Sequence, residues 1–156
     1  MAKPLAEGDK APPFSLEADG AQKVSLKDLA GKPAVLYFYP KDDTPGCTKE
    51  AVDFTAAAAA FKRLGATVIG VSKDTVAAHD RFKKKHKLTV VLASDPDGKV
   101  IESYGAWVEK SMYGRTYMGI DRSTFLIDSK GKIAKIWRKV RVPGHVEEVL
   151  AITKSL

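Results

Sequence analysis

Val35-Leu36-Tyr37-Phe38-Tyr39 is a continuous run of β-branched and aromatic residues that Pro40 stops. An apolar run of strand length without alternation predicts a strand buried on both faces, so this segment is expected at the centre of a sheet. From Pro45 to Leu64 the residues favour helix, the alanines of 56–60 most of all, and Gly65 supplies a stop. Thr67 to Val71 reads as a second buried strand, which completes a βαβ unit.

A second helical stretch is predicted over Thr75–His86, leading to a strand around Val90-Val91-Leu92. Ser94-Asp95-Pro96-Asp97-Gly98 then offers turn chemistry and a helix start. Ser123–Ile127 and Lys132–Trp137 read as two strands joined through Asp128-Ser129-Lys130-Gly131, a short glycine-containing link suited to an antiparallel hairpin. Val146–Ser155 closes the chain as a helix. At the front, Phe14-Ser15-Leu16 and Val24-Ser25-Leu26 alternate around Ala18-Asp19-Gly20 and predict an accessory hairpin. The sum is an α/β fold: a mixed central sheet flanked by helices on both faces, with no internal repeat.

Length and composition narrow this without changing it. The 156 residues, 44% hydrophobic and 29% charged, suit one globular domain spanning residues 1–156 and exclude wholesale disorder. Met1–Ser15 holds Pro4, Pro12 and Pro13 in place of the apolar core of a secretory signal. No stretch approaches the ~20 apolar residues of a membrane span, so no membrane partner is expected. With Cys47 alone, an internal disulfide is impossible, and the expected location is cytoplasmic.

The net charge of +7 admits a second class of function, a basic module that binds nucleic acid without redox chemistry. Arg81, Lys83, Lys84, Lys85 and Lys87 crowd one segment; Lys130, Lys132, Lys135, Arg138, Lys139 and Arg141 crowd another, in which Trp137 would be a stacking group. Solvated faces are the simpler reading of both, and Trp137 at strand spacing from Ile133 is more simply part of the core. Nucleic acid is therefore the weaker expectation.

Ligands of open α/β sheets sit at the carboxyl ends of the strands, and the first strong strand runs directly into Pro40-Lys41-Asp42-Asp43-Thr44-Pro45-Gly46-Cys47. With Thr44 as N-cap and Pro45 at the first helical position, Cys47 falls in the first turn. There the helix dipole and free N–H groups favour thiolate, the reactive form of the side chain. A lone cysteine is often only a small buried hydrophobe, but Gly46 and Pro45 shape this helix entry for a close approach.

Pro40-x-x-x-Thr44-x-x-Cys47 resembles the peroxiredoxin signature, and Tyr37-Phe38-Tyr39-Pro40-Lys41 with Thr44-Pro45-Gly46-Cys47-Thr48-x-Glu50-Ala51 is similar to its peroxiredoxin Q, or bacterioferritin comigratory protein, branch. Gly8-Asp9-x-Ala11-Pro12-x-Phe14, Gly105-x-Trp107-x-Glu109-Lys110 and Gly119-Ile120-x-Arg122-x-Thr124-Phe125-Leu126-Ile127-Asp128 extend the likeness over nearly the whole chain. The resemblance implies a thioredoxin-like fold and a thiol-dependent peroxidase. Cys47 would be the nucleophile that a peroxide oxidises to sulfenic acid, and Thr44 would orient the O–O bond. Arg122 would stabilise the thiolate and the charge developing on the leaving oxygen, Pro40 would shield the sulfur from water, and Glu50 would hold the arginine.

In the same branch a resolving cysteine occupies a position matching Val52 or Lys83, and neither can form a disulfide. A one-cysteine enzyme follows, with an external thiol reductant: thioredoxin, glutaredoxin or glutathione. Similar proteins are often monomers, and a monomer is expected. His79, His86 and His145 are the candidate bases for a competing cysteine-hydrolase reading; His79 and His86 lie in a charged helical stretch that reads as surface. One cysteine and three scattered histidines offer no metal-site spacing, and no glycine-rich phosphate loop occurs, so no cofactor is implied.

Overall fold

A computed structural model describes residues 5–156; Met1–Pro4, the beginning of the stretch read above for a secretory signal, lie outside the described residues. Seven strands form one mixed sheet in the order β2-β1-β5-β4-β3-β8-β9. They are β1 (Ser15–Ala18), β2 (Lys23–Ser25), β3 (Ala34–Phe38), β4 (Thr67–Ser72), β5 (Val91–Ser94), β8 (Ser123–Ile127) and β9 (Ile133–Trp137). The strands β3, β4 and β5 run parallel, and β8 pairs antiparallel with β3 from Ala34↔Ile127 to Phe38↔Ser123. The apolar run predicted as a central strand is thus hydrogen-bonded on both edges. The front hairpin forms, with Leu16 opposite Val24, and β1 also pairs with β5, so the hairpin extends the sheet.

Because strand side chains alternate, β3 feeds two cores. Leu36 and Phe38 join Phe14, Ile101, Tyr104 and Phe125 on one face. Val35, Tyr37 and Tyr39 join Cys47, Phe54, Phe61, Phe82 and Val149 on the other. Helical residues of this second core come from α1 (Pro45–Ala56), α2 (Ala58–Arg63), α3 (Val76–His86) and α5 (His145–Lys154), whereas the first core takes Ile101 from the short α4 (Lys99–Ser103). Each large side chain so buried contributes roughly 1.5–3 kcal/mol.

Gly70 sits opposite Tyr37 in the β3–β4 register, and a β-carbon there would lie 2.6 Å from the Tyr37 ring. The glycine inside an otherwise β-branched strand is therefore the space in which Tyr37 lies, stacked on Phe54 at 4.7 Å between ring centres.

Two elements differ from the sequence reading. The helix expected over Pro45–Leu64 is broken at Ala57 (φ −92°, ψ 4°) into α1 and α2. Alanine has the highest helix propensity, so local preference does not cause the break. A further hairpin, β6 (Trp107–Met112) with β7 (Arg115–Ile120), forms its own two-stranded sheet. Neither strand alternates between buried and exposed positions: β6 is half-buried to exposed throughout, and β7 is exposed until Gly119 and Ile120, which removes the pattern that announces a strand. The legible trace was Gly114: with Tyr113 it makes a two-residue turn with positive φ at both positions (52° and 78°).

Candidate active site

At the carboxyl end of β3 the chain turns through residues 40–44 and enters α1, with Thr44 as N-cap and Pro45 in the first turn. Cys47 lies in that turn with 2% of its surface exposed, packed in the second core beside Tyr37, Tyr39 and Phe54. Arg122, on the short link between β7 and β8, reaches across to it: Nη2 donates to Cys47 Sγ at 3.3 Å and Nη1 to Glu50 Oε1 at 2.7 Å. A planar guanidinium presents its donors in a fixed fork, so Nη1 and Nη2 each serve one of two acceptors one helical turn apart on α1. Gly46 makes room for it, since a β-carbon there would meet Nη2 at 3.1 Å. The close approach implied by the glycine beside the thiol is that of Arg122.

Glu50 is fully buried, and its Oε2 has no hydrogen-bond partner among the described residues. Burial pushes its carboxyl up to about 7, although Arg122 pulls the other way. For Arg122, burial pulls the guanidinium down, but Glu50 and the Cys47 sulfur outweigh it and the net direction is up. The Tyr37 hydroxyl, likewise buried without a partner, is raised first by burial and then by Glu50 and Cys47.

The Thr44 hydroxyl does not cap the helix. It donates to the Lys41 carbonyl at 2.8 Å, which leaves its oxygen lone pairs to accept. Pro40 is exposed at the end of the strand. Cys47, Arg122 and Glu50 thus share one hydrogen-bonded cluster, and Thr44 and Pro40 occupy the turn that leads into it.

A second network around this turn went unread in the sequence. His79, expected on a surface, is fully buried: Nδ1 lies 2.6 Å from Asp42 Oδ2 and Nε2 lies 3.0 Å from the Ala93 carbonyl. Tyr39 donates its hydroxyl to Asp42 Oδ1 at 2.5 Å, and the Asp42 N–H donates to Asp74 Oδ2 at 2.8 Å. A charged helical stretch can still bury a histidine when the fold delivers a carboxylate to it, and only tertiary structure supplies that partner. Outside this core, Lys85 and His86 both reach Asp43, so α3 grips the turn that carries Thr44 through two successive aspartates.

The metal arithmetic of the sequence missed the aspartates: Asp42, Asp74 and His79 offer ligand atoms within 4.8 Å of one another. Those atoms are already engaged, Asp42 by Tyr39 and His79, and Asp74 by Ser72 and the Asp42 N–H, so the cluster is accounted for as a hydrogen-bond network. His145 is buried against Thr124, with Nε2 2.8 Å from Oγ1, and burial with help from Arg122 lowers it to about 4. No histidine among the described residues hydrogen-bonds Cys47. The Trp137 ring is half-buried: it meets His145 at a near-perpendicular angle, and its Nε1–H donates to Glu148.

A cysteine in the first turn of a helix that follows a parallel strand, with a guanidinium on its sulfur, defines a thioredoxin-like thiol peroxidase. Residues 7–136 match the AhpC/TSA family, and the chain belongs to it. It is 52% identical to the putative peroxiredoxin bcp of Coxiella burnetii over 143 residues, covering 92% of this chain and 95% of that one. It is 48% identical to peroxiredoxin Bcp of Bacillus subtilis, at 96% and 95% coverage. Among solved structures, a cysteine-to-serine variant of Xylella fastidiosa PrxQ superposes with a TM-score of 0.93 at 39% identity, covering 99% and 98% of the two chains. The bacterioferritin comigratory protein of Xanthomonas campestris, a protein with alkyl peroxide reduction activity, gives 0.87 at 42% identity, covering 91% and 90%. The chain is a thiol-dependent peroxidase of the peroxiredoxin Q type, and the nucleic-acid reading is set aside. It needs a peroxide and a thiol reductant; among the described residues no helix is long and apolar enough to cross a membrane.

Proposed function

We propose that Cys47 is the nucleophile of a one-cysteine cycle in a single domain. Its thiolate attacks the hydroxyl oxygen of hydrogen peroxide or an organic hydroperoxide; the S–O bond forms, the O–O bond breaks, and protonation of the departing oxygen gives water or alcohol. Sulfur is oxidised by two electrons to sulfenic acid and the peroxide is reduced. The observation that carries this reading is the Arg122 bridge, 3.3 Å to sulfur and 2.7 Å to Glu50, which sets a fixed cation where charge leaves sulfur and gathers on the leaving oxygen. Thr44, its proton committed to the Lys41 carbonyl, accepts from the O–H of the peroxide and aligns it. Pro40 shields the mouth of the site.

Val52 and Lys83, the positions at which relatives of this branch place a resolving cysteine, cannot do so here, and Lys83 instead pairs with Asp19 at 2.6 Å. A first external thiol therefore attacks the sulfenic sulfur and releases water, and a second breaks the mixed disulfide and restores Cys47. Thioredoxin, glutaredoxin and glutathione are the reductants to compare. A thiol-fed enzyme with a single cysteine fits the cytoplasm. We assign a monomer, which sedimentation equilibrium tests; Met112, Tyr113, Tyr117 and Met118, exposed on the β6–β7 hairpin, are the residues a self-association would use.

Peroxide consumption measured with each reductant in turn tests chemistry and partner together. Cys47→Ser is expected to abolish turnover with all of them, and persistent turnover would end the reading. Without an internal partner the sulfenate is also expected to overoxidise, and intact-mass measurement under excess peroxide should find the sulfinic and sulfonic forms.

A further inference from the structure

Resting on the assignment of Cys47 as nucleophile, we infer that Glu50 and Cys47 share one proton, so that the buried site keeps a single negative charge throughout the cycle, on sulfur before oxidation and on Glu50 after it. Two acids converge on one cation: the same guanidinium donates to both Cys47 Sγ and Glu50 Oε1. Glu50 is 0% exposed, and among the described residues only one of its two oxygens has a partner.

An ionised carboxylate in that position would bury a bare anionic oxygen, and a thiolate beside it would make two buried anions against one cation, both costly. A neutral carboxyl removes both problems, because its carbonyl oxygen still accepts from Arg122 while Oε2 carries the proton. Among the described residues no other cation hydrogen-bonds Glu50 or Cys47. The groups facing Glu50 and Arg122 are Tyr37 from β3, which burial keeps neutral, Cys47 and Asp53 from α1, and His145 from α5, which burial also keeps neutral. The upward displacement of Glu50 to about 7 agrees with a carboxyl that holds its proton near neutrality.

The cycle balances on this footing. In the resting state the proton lost by the Cys47 thiol resides on Glu50, giving thiolate, guanidinium and carboxylic acid. Attack on the peroxide makes neutral sulfenic acid and an alkoxide or hydroxide. One proton, matched by the one Glu50 gives up, neutralises that leaving group, and Arg122 is left facing a carboxylate alone. When thiol reduction expels Cys47 as thiolate again, Glu50 takes a proton back. Glu50 is thus a positioning residue whose charge answers the redox state of sulfur.

Infrared difference spectroscopy on protein carrying isotope-labelled glutamate, with Glu50→Gln to assign the band, tests this. Reduced protein at pH 7 should show Glu50 as protonated carboxyl, and one equivalent of peroxide should convert it to carboxylate. In Cys47→Ser, where no sulfur anion competes, the midpoint of Glu50 protonation should move at least tenfold in proton concentration toward acid, about one pH unit. A Glu50 ionised in the reduced protein at pH 7, or a band that follows neither peroxide nor Cys47→Ser, would overturn the inference. Peroxide turnover by the same Cys47→Ser sample separates the two ideas. Turnover that persists removes the nucleophile assignment, whereas lost turnover with an unresponsive Glu50 removes only the shared proton.

Discussion

On one face of β3, Leu36 and Phe38 pack with Ile101, Tyr104 and Phe125 into a core where, among the described residues, the buried side-chain polar atoms have partners: Tyr104 donates to the Pro12 carbonyl and Asp95 accepts the Ile101 N–H. On the other, Tyr37 and Tyr39 share their core with Cys47, and here lie the two buried side-chain polar atoms that have no partner among the described residues, Tyr37 Oη and Glu50 Oε2. The same strand therefore presents a face fitted for stability and a face fitted for chemistry. Unsatisfied and titratable groups are expensive to bury, and they gather on the side where their charge can change.

The sharpest way to break this division is Arg122→Met. Losing the donor that faces the developing charge should lower the peroxide rate constant about 10²–10³-fold in stopped-flow assays with the fold intact. A loss below tenfold would mean the guanidinium is structural. The converse is Ile101→Ala, which empties part of the opposite core; it should cost about 2–5 kcal/mol in chemical denaturation. The rate constant of the folded fraction should stay within about twofold if the two faces are independent.

A smaller effect concerns pH. His145 titrates near 4 in the folded protein and near 6.5 when unfolded, so the unfolded state binds the extra proton between those values. Its contribution to stability is complete above about pH 6.5 and is lost as pH falls toward 4, on the order of 3 kcal/mol in all. Thermal denaturation of His145→Gln across that window should show a flattened slope. The smallest effect is Tyr37→Phe, which removes a hydroxyl without a partner and should raise stability by about 1 kcal/mol. A loss of stability would show that Tyr37 Oη is satisfied in solution and would narrow the contrast between the faces.

Much of the frame was legible because it is local. The run Val35–Tyr39, the stop at Pro40 and the entry Thr44-Pro45-Gly46 placed Cys47 in a first turn at a strand end, and the structure puts it there. The β6–β7 hairpin was not legible, since only Ile120 of its strands is buried and the other positions are exposed or half-buried, and the break at Ala57 runs against alanine's own preference. His79 was misplaced on the surface because the partner that makes its burial affordable is Asp42, far away in sequence.

By itself the sequence determined which residue carries the thiol, which strand delivers it and which family pattern surrounds it, since these depend on neighbours along the chain and on periodicity. Tertiary structure decided what the thiol faces. Arg122 meets Cys47 because β8 pairs antiparallel with β3, so that β8 begins at the end of β3 from which the chain enters α1. The two buried acids share one cation for the same reason. Contacts between distant segments are set by how strands pair and helices pack, and no local pattern encodes the 3.3 Å that separates guanidinium and sulfur.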